Sequence, residues 1–359
     1  MCVAAGLLAA GAWATPVGAH TVTGVSPTNY RSRIIGMLPP LPGVSLRLLD
    51  LGRRVQLTNR GSTDVVVLGY EGEPYLRVGP DGVFENRRSP TVEANEVASE
   101  LTTTTTTVAT PDATGAPPPV PEPEWRRISS GHTARWRDHR TRWEGADPEA
   151  VQAAPGQAHI VSQWEIGLQQ AGTAAAVRGV ITWVPGPSPL PWIVLMVGFL
   201  AATVAGAFSR RWGWWLSAAL GVLVAADVVS SVAAATASQT SVGGVLLDVV
   251  AGGFMATVAW VVGALAIGPL QRQRATGLFA AAITALVLTL YSLPDALGLG
   301  RSQLPTDLPP AAARTATAAV IGLGVGLLAA VVVVFKRNPD LLPSNRPEDQ
   351  PEAAARDQT

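Results

Sequence analysis

The sequence predicts an exported all-β, sandwich-like domain followed by a five-helix α-helical membrane domain, and three observations carry that expectation. Apolar residues make up 48% of the 359, yet from Pro191 onward they form long Ala/Val/Leu/Gly runs, whereas the first half is polar, proline-punctuated and holds most of the charge. Basic residues cluster between alternate apolar runs, as they do on one side of a threaded membrane. The first half is itself written in short β-branched runs separated by glycine-containing turns.

The opening MCVAAGLLAAGAWATPVGAH has a short apolar core followed by Val17-Gly18-Ala19, small residues suited to a signal peptidase. Residues 1–19 are therefore expected to be a signal peptide, leaving His20 as the first mature residue. No Lys or Arg precedes the core, and an uncleaved anchor is the alternative, although the run is shorter than the ~20 residues a span needs. Cys2 is the only cysteine and no lipobox precedes it, which excludes an internal disulfide, CxxC redox chemistry and a cysteine zinc cluster.

Residues 20–187 are expected to form an extracytoplasmic β-domain. VSLRLLD (44–50), RRVQLTN (53–59) and TDVVVLG (63–69) are β-branched runs, two of them with period-two alternation, and HIVSQWEIGLQ (159–169) and AAVRGVITWV (175–184) follow later. Strands at this spacing favour a small antiparallel sandwich. Near residues 100–124 the chain turns to TTTTTT and PDATGAPPPVPEPE, too poor in apolar surface to fold, and a flexible excursion is expected there. In EGEPYLRVGPDGVFEN, the carboxylates Glu71, Glu73, Asp81 and Glu85 suggest calcium, but Pro-Asp-Gly is more simply a turn.

Four blocks stand in order: SPTNYRSRI, VLGYEGEPYLRVGPDGVFENRRSP, WRDHRTRW and WVPGPSPLPW. Together they resemble an uncharacterised actinobacterial family of membrane proteins with an exported N-terminal half. The likeness covers nearly the whole exported region and the entry to the first span. The third block is similar to a family pattern W-H-D-H-R-x-H-W-M, whose histidines imply a metal site. Here Arg137 and Arg142 stand where two of those histidines would be, and Glu144 where the methionine would be.

That third block lies in ARWRDHRTRWEG (134–145), which packs two tryptophans, a histidine, an aspartate and four arginines into twelve residues. One histidine among so many cations is a poor divalent-metal site. Asp138 beside His139 is a weak acid/base pair without a recognisable nucleophile. Trp136, Asp138, His139, Arg140 and Trp143 are instead expected to form a lattice, with guanidinium stacked on tryptophan and Asp138 pairing an arginine bidentately, that ties the central loop to the sandwich or faces an anion.

Residues 188–337 are expected to carry five transmembrane helices, at 190–208, 212–235, 242–268, 276–293 and 313–335. Arg210 and Arg211, Arg272 and Arg274, and Lys336 and Arg337 follow the first, third and fifth, so that side is expected to be cytoplasmic, with residues 338–359 as a disordered cytoplasmic tail. Asp227 and Asp248 are costly in hydrocarbon and hence site candidates, expected at similar depths, within about 5 Å along the normal. The run Gly322-Leu323-Gly324-Val325-Gly326 signals close helix contact rather than nucleotide binding.

HExxH, P-loop and GxSxG motifs do not occur. The expectation is a non-enzymatic plasma-membrane protein of the cell envelope, with membrane lipid and another envelope protein as partners and nucleic acid excluded by its place outside the cell. The alternative is copper handling or transport. There the α-amine and imidazole of His20 chelate Cu(II), with His132, His139 or His159 converging on it. No other cofactor is expected.

Overall fold

The computed structural model describes residues 25–100, 122–239 and 241–341. The expected signal peptide with His20, most of the Thr/Pro-rich excursion and nearly all of the expected tail lie outside the described residues.

The N-terminal half forms two antiparallel sheets. Seven strands run in the order β1 (Tyr30–Leu38), β10 (Thr173–Trp183), β9 (His159–Gln170), β4 (Val65–Leu68), β5 (Pro74–Gly79), β6 (Gly82–Asn86) and β7 (Trp125–Ser129). Three more run β2 (Val44–Leu49), β3 (Arg54–Asn59), β8 (Thr133–Arg137). Period-two alternation decides which side chains face inward: Val55 and Leu57 of β3, Val65 and Val67 of β4, and Ile166 and Leu168 of β9 are fully buried while their neighbours are not. Both sheets feed one core, in which Val55, Leu57 and Trp136 meet Val67, Ile166, Leu168 and Val177.

The domain is not all-β, because helices α1 (Pro90–Glu100) and α2 (Glu149–Ala153) stand between strands. Pro80-Asp81 is the turn of the β5–β6 hairpin, and Gly82, at φ 125°, takes a conformation closed to other residues. Strands on either side of it occupy the stretch whose carboxylates suggested calcium.

Among the described residues four helices, not five, are long and apolar enough to cross a membrane: α4 (Trp212–Ser238), α6 (Phe254–Gln271), α7 (Ala275–Ser292) and α8 (Pro310–Arg337). The first expected span is a 17-residue helix, α3 (Leu190–Gly206), about 26 Å long against ~30 Å of hydrocarbon. Tight turns in which Ala207, Phe208 and Ser209 donate to the carbonyls three residues back end it early. The third expected span is broken into α5 (Val242–Leu247), a π-helical segment (Asp248–Gly252) and α6.

Helix α3 lies along α8, where Gly322 and Gly326 leave no room for a β-carbon beside Met196, Leu200 and Thr203. The bundle core is leucine-rich, with Leu216, Leu220, Leu223, Leu278, Leu288 and Leu327 fully buried. The basic clusters gather at one end: the Arg337 guanidinium donates to the Ala207 carbonyl (3.3 Å) and Gln273 to that of Arg210 (2.9 Å). Trp214 and Trp215 are exposed beside them, as aromatic residues are at a membrane interface. The β-domain sits on the opposite end, where Thr28 bridges Gln303 and the Ser302 hydroxyl donates to the Val184 carbonyl (2.8 Å).

Candidate functional site

β8 ends at Arg137, and Asp138, in extended conformation, caps a 3-10 turn over His139–Thr141 by accepting from the Arg140 backbone N–H (3.1 Å). Asp138 is 1% exposed. Its oxygens also accept from the Trp136 indole (3.0 Å) and bidentately from Arg140 Nε (2.9 Å) and Nη2 (2.8 Å). Arg140 Nη1 reaches the Gly69 carbonyl (3.3 Å), which ties the turn at residues 68–70 to the motif. Burial alone lowers the Arg140 pKa, but the hydrogen bond and charge of Asp138 outweigh it and the net shift is upward.

The aromatic partner of this guanidinium is not a tryptophan. Arg140 lies over the Tyr70 ring, 4.9 Å from its centroid, while Trp136 is sunk in the core and Trp143 packs beside Tyr30. The Tyr70 hydroxyl accepts the His139 backbone N–H (3.1 Å) and donates to Asn95 (2.8 Å). Burial, then the Asp138 charge, pushes its pKa up to about 12, so it stays a neutral donor. His139 Nδ1 meets Glu144 (2.8 Å), which also pairs with Arg142. Burial would raise the Glu144 carboxyl, but these two partners hold it below the usual range.

The motif is continuous with the membrane helices. Thr141, fully buried, donates to the Gly52 carbonyl (2.6 Å), in a turn where Asp50, Leu51 and Gly52 all have positive φ. Asp50 pairs with Arg54, whose Nη2 donates to the Ser238 carbonyl (3.2 Å) at the end of α4. The Gln239 amide and Ser238 hydroxyl reach Asp248 (2.9 and 3.4 Å), the first residue of the π-helical segment. Such segments recur at functional positions in helices.

Asp227 and Asp248 are not at similar depths. Asp248 bonds the last residues of α4, whereas Asp227 lies eleven residues before Ser238, about 16 Å further along the helix. Asp227 accepts from the Trp260 indole (2.7 Å) and the Ser292 hydroxyl (3.3 Å), and among the described residues no cation pairs with it. It lines a cavity of about 100 Å³ together with Asp295, Tyr291, Thr306 and Arg314. Asp295 belongs to a 3-10 helix (Pro294–Gly300), and burial, then the Asp227 charge, pushes its carboxyl up to about 6. Buried Arg314 spends Nε and Nη2 on the carbonyls of Gly298 (3.3 Å) and Arg301 (2.7 Å). Sequence reading missed Asp295; its signal is a carboxylate directly after an apolar run.

Among the described residues the histidines do not converge, and His20 lies outside them. His132 bonds the Gly79 carbonyl (3.1 Å) and His159 that of Ala154 (2.8 Å). His159 opens β9 while Gly79 lies near its far end, about 36 Å away at ~3.3 Å per residue. Among the described residues no group of three or more His, Cys, Asp or Glu is placed to hold a metal ion. The chain matches no family model, no curated protein and no solved structure.

Proposed function

We propose that the chain is a non-enzymatic membrane protein of the cell envelope: its exported β-domain receives a partner, lipid or ligand, and its helices anchor that domain and relay its state. One observation carries this reading. Arg54, on β3 and held by Asp50, donates to Ser238 at the mouth of the bundle, so the domain does not hang on a linker but is bonded to the helix that contacts the π-helical segment. Sidedness follows from the basic clusters at the end remote from the β-domain, which favour a cytoplasmic location for that end. The likeness of the four sequence blocks to an actinobacterial family with an exported half agrees with it.

Relay is tested by hydrogen exchange on the full-length protein in nanodiscs. Arg54→Gln should speed exchange of the amides at residues 241–253 by roughly tenfold or more, the equivalent of about 1.4 kcal/mol of local protection. Unchanged exchange would reduce the helices to an anchor. Sidedness is tested by single cysteines in a Cys2→Ser background. Positions 302–306 should react with an impermeant reagent from outside and position 273 should not.

A further inference from the structure

We propose that the cavity between Asp227 and Asp295 binds a primary ammonium group, carried by a small free amine or by an aminophospholipid headgroup. The assignment does not depend on the Arg54 relay.

The cavity, about 100 Å³, lies where α4, α6, α7 and the start of α8 meet the segment at residues 304–308. Two carboxylates from separate elements face it, one on α4 and one on the 3-10 helix after α7. Neither forms an ion pair among the described residues. Asp227 has a single neutral donor on each oxygen, Trp260 on one and Ser292 on the other, which leaves a lone pair free on both. The Asp295 carboxylate has no hydrogen-bond partner among the described residues. Two such charges beside one another in a partly apolar cleft are unfavourable until a cation joins them. Among the described residues the one cation in the lining, Arg314, is turned to the carbonyls of Gly298 and Arg301.

The chemistry of the lining selects the cation. An ammonium group brings three N–H donors, matching two carboxylates and a hydroxyl from Ser231 or Thr306. The remaining wall includes Ala234, Ala256 and Leu304, which suits a short hydrocarbon body better than a bare hydrated ion. At roughly 10–15 Å³ per water-sized group, the space holds a ligand of about seven to ten non-hydrogen atoms or fewer. A divalent metal is a poorer fit, since calcium takes six to eight oxygen ligands and zinc prefers nitrogen and sulfur.

The test titrates ethylamine into the full-length protein in phosphatidylcholine nanodiscs, reading heat and thermal shift. Saturable binding is expected, with no saturable response to ethanol, the neutral isostere, or to sodium at matched concentration. Asp295→Asn and Asp227→Asn should each weaken binding at least tenfold. Ala234→Leu, which keeps both carboxylates but fills the space, should abolish it. Phosphatidylethanolamine in the nanodisc that competes with ethylamine assigns the headgroup as the source, and undiminished affinity assigns a free amine. Lack of saturable binding by the wild type, an equal response to sodium, or binding retained by the Asp227→Asn/Asp295→Asn double variant would overturn the assignment.

Discussion

Asp138 in the β-domain and Asp227 in the helices are both buried aspartates, and both accept a tryptophan indole N–H. Their similarity ends there. Asp138 holds a bidentate guanidinium and a backbone N–H as well, whereas Asp227 has one further neutral donor, Ser292, and an open cavity beside it. A buried charge that is fully paired specifies local structure; one left with free lone pairs and adjoining space is available to a ligand or proton. The sequence reading weighed both for function, and their surroundings separate them into a structural knot and a candidate site.

The largest effects should therefore come from the knot. Trp136→Ala should destabilise the β-domain by about 3–5 kcal/mol, since it empties a core position and strips Asp138 of a donor. His139→Ala should cost ~1 kcal/mol, because its partly exposed ring has Glu144 as hydrogen-bond partner and lies beside Tyr70 rather than in the buried core. Urea unfolding of the full-length protein, followed in the β-domain, ranks the two; the opposite order would break the structural reading of the motif. Asp138→Asn removes the counter-ion from half-buried Arg140 and should cost about 3 kcal/mol, the low end for breaking a buried pair because Arg140 keeps the Gly69 carbonyl.

Response to pH should divide the same two regions. Burial would raise the Glu73 carboxyl, but hydroxyl donors from Ser89 and Thr91 and nearby backbone N–H groups hold it below its usual value. Its contribution is present above the ordinary carboxylate pKa and lost as pH falls through the lower folded value. Asp295 runs the other way. Raised to about 6 from 3.8, it binds more protons folded than unfolded, so its charged form costs stability as pH rises from about 4 to 6, with an upper bound of about 3 kcal/mol. Asp295→Asn should raise the bundle's melting temperature at pH 7.5 and leave it unchanged near pH 4, while Glu73→Gln should lower that of the β-domain at pH 7.5. An Asp295→Asn variant less stable at neutral pH would show that its carboxylate is already paired.

What the sequence made legible follows the range of the interactions. Strands β3 and β4 were readable because alternate burial of Val55 and Leu57, and of Val65 and Val67, is written in adjacent residues. The turn between β5 and β6 was readable in Pro80-Asp81-Gly82, whereas the strands on either side of it were not, because their short runs lack a clean period-two pattern. Hydropathy gave five runs but not the turns at residues 207–209 that trim the first, nor the π-helical break in the third. Within the motif, Asp138 and Arg140 are two residues apart, whereas Tyr70, the actual ring under Arg140, lies seventy positions away. Arg54 and Ser238 belong to different halves of the chain, and no local pattern announces their bond.

The smallest expected effect is the sharpest test of the comparison. Asp227→Asn preserves the shape of the side chain and keeps an acceptor for Trp260 or Ser292, while removing a charge that no cation in the described chain offsets. Its effect on bundle stability in amine-free nanodiscs should be a gain of no more than about 1 kcal/mol, in the direction expected for Asp295→Asn, against the loss expected for Asp138→Asn. Both substitutions are isosteric and both touch a carboxylate beneath a tryptophan indole, so the contrast isolates the counter-ion. Equal losses would mean that Asp227 is tied as tightly as Asp138 and is a structural element of the bundle; a large loss confined to Asp138→Asn would leave Asp227 free for the ligand its cavity is shaped to take.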